Sequence, residues 1–391
     1  MKINTILKTW SLVVVVGTLQ GCELFEIFSE CSTFTLGGTG QTPEHCDKAK
    51  MMEIAQNQKN YDEYVLKLPQ PLPCVKEQKL KVDPEISKIY TYAYFTEINN
   101  EDNRDPEFWL GLYRYYNIAL TYGDTRAFDR LNRIILLNRM GSLELGDRVE
   151  YELIYRQYAK FKPAFANYYK YRSNMMIGPY LYPALQAGNV NAMLRVASIA
   201  ANANDVTQPE RAKKIKDDMW MCASEQGDGY ATRKVAERLQ EAGKHREALE
   251  KYQLALAQGD RSSAEVLSKI FVYQTEIAPQ RYYQDMIRYN LDLGADDPAR
   301  SQRYKDILKL FRALPYFLSD DDEKIPELNQ IIPLPPAKLP KWDGTITAAA
   351  WLKGATPEKP DEQWLTQLAL NAGLDPVTGR PLPKIKQETE K

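Results

Sequence analysis

Residues 228–260 read DGYATRKVAERLQEAGKHREALEKYQLALAQGD. Apolar residues recur at helical spacing on both sides of a central Gly-Lys, which predicts a helix from about Tyr230 to Ala242, a turn at Gly243, and a second helix from about Arg246 to Gln258. Gly259 supplies a left-handed residue that ends the second helix without a Cβ penalty. Asp260 follows as the cap of the next helix, accepting from its free amides.

The same punctuation recurs outward from this stretch. It appears in YNIALTYGDTRA (116–127), LYPALQAGNVNA (181–192), WMCASEQGDGYA (220–231), YQLALAQGDRSSA (252–264) and IRYNLDLGADDPA (287–299). A bulky residue stands seven positions before each Gly: Tyr116, Leu181, Trp220, Tyr252 and Ile287. Ala119, Ala184, Ala223 and Ala255 stand four before it in the first four, and Asn290 takes that place in the fifth. The bulky residue is expected to fill the groove between paired helices, and the Ala to let a neighbouring backbone approach. Gly188, Gly227, Gly259 and Gly294 are spaced by 39, 32 and 35 residues. The gap of 65 after Gly123 leaves room for a diverged unit, with LGDRVEYEL (145–153) as its remnant. A repeat of this period means stacked helical hairpins, each stabilised by its neighbours.

Across about residues 180–315 this pattern resembles the Sel-one-like repeat, a cousin of the tetratricopeptide repeat. The resemblance implies an all-α, αα-hairpin solenoid (a Sel-one-like, TPR-like superhelix) with a concave binding face. KVDPEISKIYTYAYF (81–95) resembles the opening of a helical N-terminal domain in bacterial Sel-one-like lipoproteins. LPPAKLPKWDGTITAAAWLK (334–353) and AGLDPVTGRPLPK (372–384) are similar to the Pro-rich extended tail of that group. Several of its members are encoded beside phospholipase effectors of the type VI secretion system and act as immunity proteins. The resemblance therefore implies a protein partner, a phospholipase effector toxin, but supplies no contact motif, so the partner-binding residues stay open.

The N-terminus carries Lys2 and Lys8, an apolar run from Trp10 to Leu19, and then Leu19-Gln20-Gly21-Cys22. The run is too short to span a bilayer and has the form of a secretory signal. It resembles the lipobox of bacterial lipoproteins, which implies cleavage after residue 21 and lipidation of Cys22, an anchor of several acyl chains. Glu23 rather than Asp implies, by the enterobacterial sorting rule, the outer membrane with the body facing the periplasm.

Loss of residues 1–21 removes Lys2 and Lys8 and moves the formal net charge from −1 to −3, so nucleic acid is not an expected partner. His45 and His245, the only histidines, belong to no metal-ligand spacing, and no Gly-x-Ser-x-Gly elbow occurs. Neither cofactor, metal nor catalytic residues are expected, and the chain reads as a binding protein, not an enzyme. LGGTGQT (36–42) lacks the Gly-Lys-Ser/Thr ending of a phosphate loop. Asp320, Asp321 and Asp322 lack the spacing of a calcium loop and read as a solvated turn.

Cys31 and Cys46 bracket a loop that a disulfide between them would close, although either pairs equally well with Cys74 on sequence alone. Cys222 lies in an apolar helical stripe and reads as a buried free thiol. Tyr90, Tyr92 and Tyr94, with Trp109, Tyr113, Tyr115, Tyr116 and the tyrosines of NYYKYR (167–172), fit either helix packing or an exposed contact surface.

The expected organisation is a signal peptide (1–21), a tether with a disulfide loop (22–82), a helical N-terminal domain (83–178), the repeats (179–315) and a Pro-rich capping tail (316–391). Within that tail PDEQWLTQLALNAG (360–373) reads as a short amphipathic helix closed by Gly373 and laid over the last apolar face of the repeats. A lipoprotein scaffold for envelope assembly is the alternative role.

Overall fold

Asp83-Pro84-Glu85 and Asp105-Pro106-Glu107 open two helices in the same way. Each Asp side chain accepts from the amide two residues on, at 2.9 and 3.0 Å, and each Pro occupies the first helical position. There the missing N–H costs nothing, and the acidic residues complement the helix dipole. A computed structural model describes residues 64–77, 81–140, 146–174, 177–202, 208–272, 296–313, 324–347, 349 and 356–382. The fold is all-α, with helices packed against their chain neighbours. Among the described residues the one β-type pairing is an isolated bridge between Leu374 and Pro381.

Two compact units interleave along the chain. One holds residues up to 74 together with 167–219; the other holds 75–166 together with 220–391. In order, the helices are α1 (Pro84–Ile98), α2 (Pro106–Thr121), α3 (Ala127–Leu136), α4 (Gly146–Phe161) and α5 (Pro163–Asn174). A π-helical turn (Ile177–Leu181) runs into α6 (Tyr182–Gln186), followed by α7 (Val190–Asn202) and α8 (Pro209–Glu225). The hairpin read from 228–260 is α9 (Gly229–Glu241) and α10 (His245–Ala257), within one residue of the expected bounds at each end. α11 (Arg261–Ile270), α12 (Pro298–Ala313), α13 (Leu328–Ile331) and α14 (Glu362–Asn371) complete the set.

In the first unit, α6 packs on the π-helical turn and on α7, burying Leu181, Ala184, Leu185, Met193 and Val196. Arg211 donates to the Leu68 carbonyl at 2.9 Å, tying α8 to the segment from residue 64.

In the second unit, α9, α10, α11 and α12 pack in succession. Their shared core runs from Leu249, Tyr252 and Leu256 through Leu267 and Phe271 to Tyr304 and Phe311. The segment 324–349 covers this core with Ile325, Leu328, Ile331, Ile332 and Ile346. A Pro-rich chain cannot pair as a strand, so its carbonyls need side-chain donors. Arg303 supplies Ile331 at 2.7 Å and Pro340 at 2.9 Å; Gln253 supplies Ile332 at 2.7 Å; Arg300 supplies Ala337 at 2.8 Å; and Arg246 supplies Pro335 at 3.0 Å. This stretch is a strap fastened by α10 and α12.

The expected place of the amphipathic tail helix is corrected. α14 does form, with Asp361 as its cap and Gly373 after it, but it packs on α2, not on the end of the α9–α12 row. The strap has taken that face, and α2 offers the unfilled polar and apolar positions described below.

Candidate functional site

The glycines singled out in the sequence share one geometry. Gly123, Gly188, Gly227 and Gly259 have φ of 97°, 87°, 94° and 96°. The residue after each Gly donates its amide to the carbonyl of the Ala four before it: Asp124 to Ala119 (2.9 Å), Asn189 to Ala184 (3.0 Å), Asp228 to Ala223 (3.2 Å) and Asp260 to Ala255 (2.9 Å). Each Gly amide also reaches the carbonyl three residues back, so all four are Schellman ends. Gly243, Gly373 and, through a left-handed Asn138, the end of α3 repeat the arrangement.

Asn189, Asp228 and Asp260 then cap α7, α9 and α11 through the amides of Ala192, Ala231 and Ser263, at 2.9, 2.7 and 2.9 Å. Asp124 instead grips the Arg126 side chain. The four alanines, Tyr116, Leu181 and Tyr252 are buried, whereas Trp220 is half-buried. Gly294 lies outside the described residues, as do Cys22, Cys31, Cys46, the 36–42 loop and the 320–322 aspartates. Gly146 stands at the start of α4, not at a helix end.

The tyrosines divide between core and margin. Tyr90, Tyr94, Trp109, Tyr113, Tyr115 and Tyr116 are buried among α1, α2 and α3, and Tyr92, Tyr168 and Tyr169 are half-buried. Tyr90, Tyr94 and Tyr116 belong to an arginine ladder that the sequence reading missed. Arg126, the residue before α3, and Arg130 and Arg133 within it lie along one face. Arg126 sits over the Tyr90 ring at 4.2 Å and donates to Ser87 at 2.6 Å; Arg130 sits over the Tyr94 ring at 4.8 Å. Arg133 donates to Glu97 at 3.1 Å and pairs with Glu101. Glu97 is fully enclosed and accepts from the Tyr116 hydroxyl at 2.5 Å.

Burial, then the Glu97 charge, pushes the Tyr116 hydroxyl well above the ordinary phenol value. Burial pulls the Arg130 guanidinium down, but Glu97 together with the Tyr90, Tyr116 and Tyr94 hydroxyls outweighs it and holds the group above its usual value. The cluster is a neutralised lock between helices, with its charges spent on one another. Cross-helix spacing of i, i+4 and i+7 arginines in RAFDRLNR (126–133) was the available signal.

Among the outward surfaces of the described residues, two are built from ring and ion-pair contacts. On α9, Tyr230 is exposed, with Arg233 and Lys234 at 5.0 and 5.5 Å from its ring. Arg233 is held by Glu237 (2.5 Å) and by Asp260 of the next cap (3.0 Å).

The second surface is α14 and the turn after it. Arg114 pairs with Glu362 at 2.8 Å, Tyr115 donates to the same carboxylate at 3.2 Å, and Tyr122 donates to the Leu368 carbonyl at 3.0 Å. Buried Asn117 donates to the Gly379 carbonyl at 2.7 Å, and Arg380 pairs with Glu150 of α4 at 2.6 Å. A Cβ on Gly379 would stand 2.6 Å from the Arg114 Cα, so only glycine allows this contact. Asp375 folds the turn by accepting from the Thr378 amide (2.7 Å) and hydroxyl (2.9 Å) and from the Val377 amide (3.0 Å). Those bonds, Thr378 first, hold its carboxyl below the usual range.

Cys222 is corrected: it is disulfide-bonded, not a free thiol, and Cys74 is disulfide-bonded as well. An apolar helical setting hides a half-cystine as readily as a thiol, so burial in the pattern did not discriminate. His245 is buried at the start of α10, and His45 lies outside the described residues. Among the described residues no group of three or more His, Cys, Asp or Glu side chains is placed to hold a metal ion, and no helix is long and apolar enough to cross a membrane.

Residues 263–382 match the model of a domain of unknown function, DUF6396. This stretch contains most of α11, all of α12, the strap and α14. No curated protein matches the chain. Among solved structures it is similar to three Pseudomonas aeruginosa proteins, each with a TM-score of 0.47 over 68% of this chain. They are PA5086 (21% identity, 96% of that chain), the immunity protein Pa5087 (20%, 95%) and the immunity protein PA5088 (21%, 95%).

Proposed function

We propose that this chain is a protein-binding protein of immunity type, lipid-anchored through Cys22 at the outer membrane and facing the periplasm. It neutralises a type VI phospholipase effector by covering the toxin's active site or membrane-contact face. The observation that carries a binding role is the construction of the helical array. Ion pairs (Glu97 with Arg130, Asp260 with Arg233, Glu150 with Arg380) fasten its elements to one another, and we read the surface they carry as preorganised. Stiffness suits inhibition, because a preorganised surface loses little entropy on association. The lipobox and the tail motifs of the sequence support the anchored, effector-directed form of this reading. Anchoring places the inhibitor on the membrane that a lipase attacks.

The test is periplasmic expression of the effector encoded beside this chain, with and without the chain. Rescue of growth together with co-purification is the expected result. Unchanged toxicity with no complex removes the immunity reading. A growth defect on deletion in the absence of any toxin favours the envelope-scaffold role.

A further inference from the structure

The groove between α10 and α12 already holds an extended chain, and the way it does so is indifferent to that chain's sequence. Five bonds from Arg246, Gln253, Arg300 and Arg303 end on main-chain carbonyls between Ile331 and Pro340. Arg303 Nη1 alone receives the carbonyls of Ile331 and Pro340, at 2.7 and 2.9 Å, and so closes the residues between them into a loop. Ile331, Ile332 and Ile346 pin the two ends in the core, whereas Leu334, Leu339 and Trp342 between them are half-buried.

The charges of this occupant do not match its seat. No acidic residue occurs from Leu328 to Trp342, and the stretch carries exposed Lys338 and Lys341 over three arginines. The flanking acids, Glu327 and Asp343, accept from the Thr347 and Thr345 amides at 2.6 and 3.0 Å. Within the groove Glu250 answers Arg246 at 2.9 Å and Asp297 answers Arg300 at 3.2 Å. Arg303 meets two neutral carbonyls, and the enclosed Arg300 Nε has no acceptor among the described residues. A guanidinium binds a carboxylate about twice as strongly as a neutral acceptor.

We infer that the α10–α12 groove is a binding site for an extended peptide segment, which residues 333–343 occupy in cis. The partner's segment that displaces them carries a carboxylate opposite Arg303. The effector is that partner, so the inference rests on the function proposed above. A Pro-rich resident loses little entropy on being held, which suits a standing cover. The carboxylate gives the incoming segment its advantage over that cover. Because the isoleucine pins lie outside 333–343, this stretch lifts as a loop and leaves the core of α9 to α12 in place.

The experiment replaces residues 333–343 of the full chain by an equal length of Gly-Ser, checks the fold by thermal unfolding, and titrates two labelled peptides. One has the sequence of residues 331–343; the other carries Lys341→Asp, beside the carbonyl that Arg303 receives. The vacated chain should bind the first peptide, and the second about tenfold more tightly. Arg303→Ala in the vacated chain should abolish that preference. In the unaltered chain, labelled with fluorotryptophan, the Trp342 signal is assigned by Trp342→Phe. It should shift when the Lys341→Asp peptide is added in excess, and again with the catalytically inactivated effector encoded beside the chain.

A folded vacated chain that takes neither peptide overturns the groove, and equal affinity for the two overturns the carboxylate. Should the vacated chain fail to fold, an unmoved Trp342 signal in the unaltered chain under excess peptide overturns the inference instead. A complex with the effector that leaves Trp342 unmoved overturns the displacement and leaves the immunity reading standing. Absence of any complex removes the effector as occupant together with the immunity reading, and the peptide titration then decides the groove by itself.

Discussion

Arg130 on α3 and Glu97 on α1 face each other at 3.6 Å, each with a side chain only 1% exposed. An ion pair withdrawn this far from water is held by its geometry: deleting one member strands the other without solvent. Arg133 and the Tyr116 hydroxyl converge on the same carboxylate. Glu97→Ala should therefore destabilise the protein by about 3–5 kcal/mol in urea unfolding. Glu97→Gln, which keeps an acceptor for Tyr116, should cost less. Equal and negligible losses would mean that the cluster contributes nothing.

Two glycines give opposite expectations for the same substitution. Gly111 is helical in α2 with nothing within 4 Å of a Cβ, so Gly111→Ala should stabilise by about 0.5–1 kcal/mol. Gly229 is also helical, but its Cβ would stand 2.8 Å from the Asp260 amide and 2.9 Å from the Ala255 carbonyl. Gly229→Ala should destabilise by about 1–3 kcal/mol despite alanine's better helix propensity. Thermal melts of the two variants in parallel check the sign.

The docking of α14 should weaken in acid. Burial pushes Glu362 up, but Arg114 and Lys359 outweigh it, so its folded pKa lies below the ordinary carboxylate value. A depressed pKa contributes stability that is present above the unfolded value and lost as pH falls through the folded one. Hydrogen exchange across 362–382 should accelerate as pH falls below the usual carboxylate range, after correction for intrinsic rates. Arg114→Ala should remove much of that dependence.

The strap's dependence on side-chain donors is open to the same kind of check. Arg303 satisfies two strap carbonyls and lies 5.7 Å from the Trp342 ring. Arg303→Ala should cost about 1–3 kcal/mol and shift Trp342 fluorescence to the red as the strap loosens. A wild-type spectrum with lowered stability would show that the loss lies elsewhere.

Peptides containing Cys74 and Cys222 should resist alkylation in denaturant and be modified only after reduction, as mass spectrometry will read. Modification before reduction would restore the free-thiol reading of Cys222.

The helices and their ends were legible because they are local. Gly259 and Asp260 declare a stop and a start within two residues, and the α9–α10 bounds followed to within one. The arginine ladder was not, since Arg126, Arg130 and Arg133 find their partners on a helix some thirty residues away. α14 could be seen as a helix in its sequence, yet its seat could not. Asn117 and Gly379 are 262 positions apart, and neither announces the other.

That distant pairing orders events during synthesis. α2 is made early, but Asn117 and Tyr122 acquire their acceptors only when residues 362–382 have left the ribosome. Closure of long loops is slow and costly in entropy. The early helices therefore wait with an unsealed flank until translation has almost run its course, and a nascent chain cut short upstream of Glu362 keeps that flank open to proteolysis.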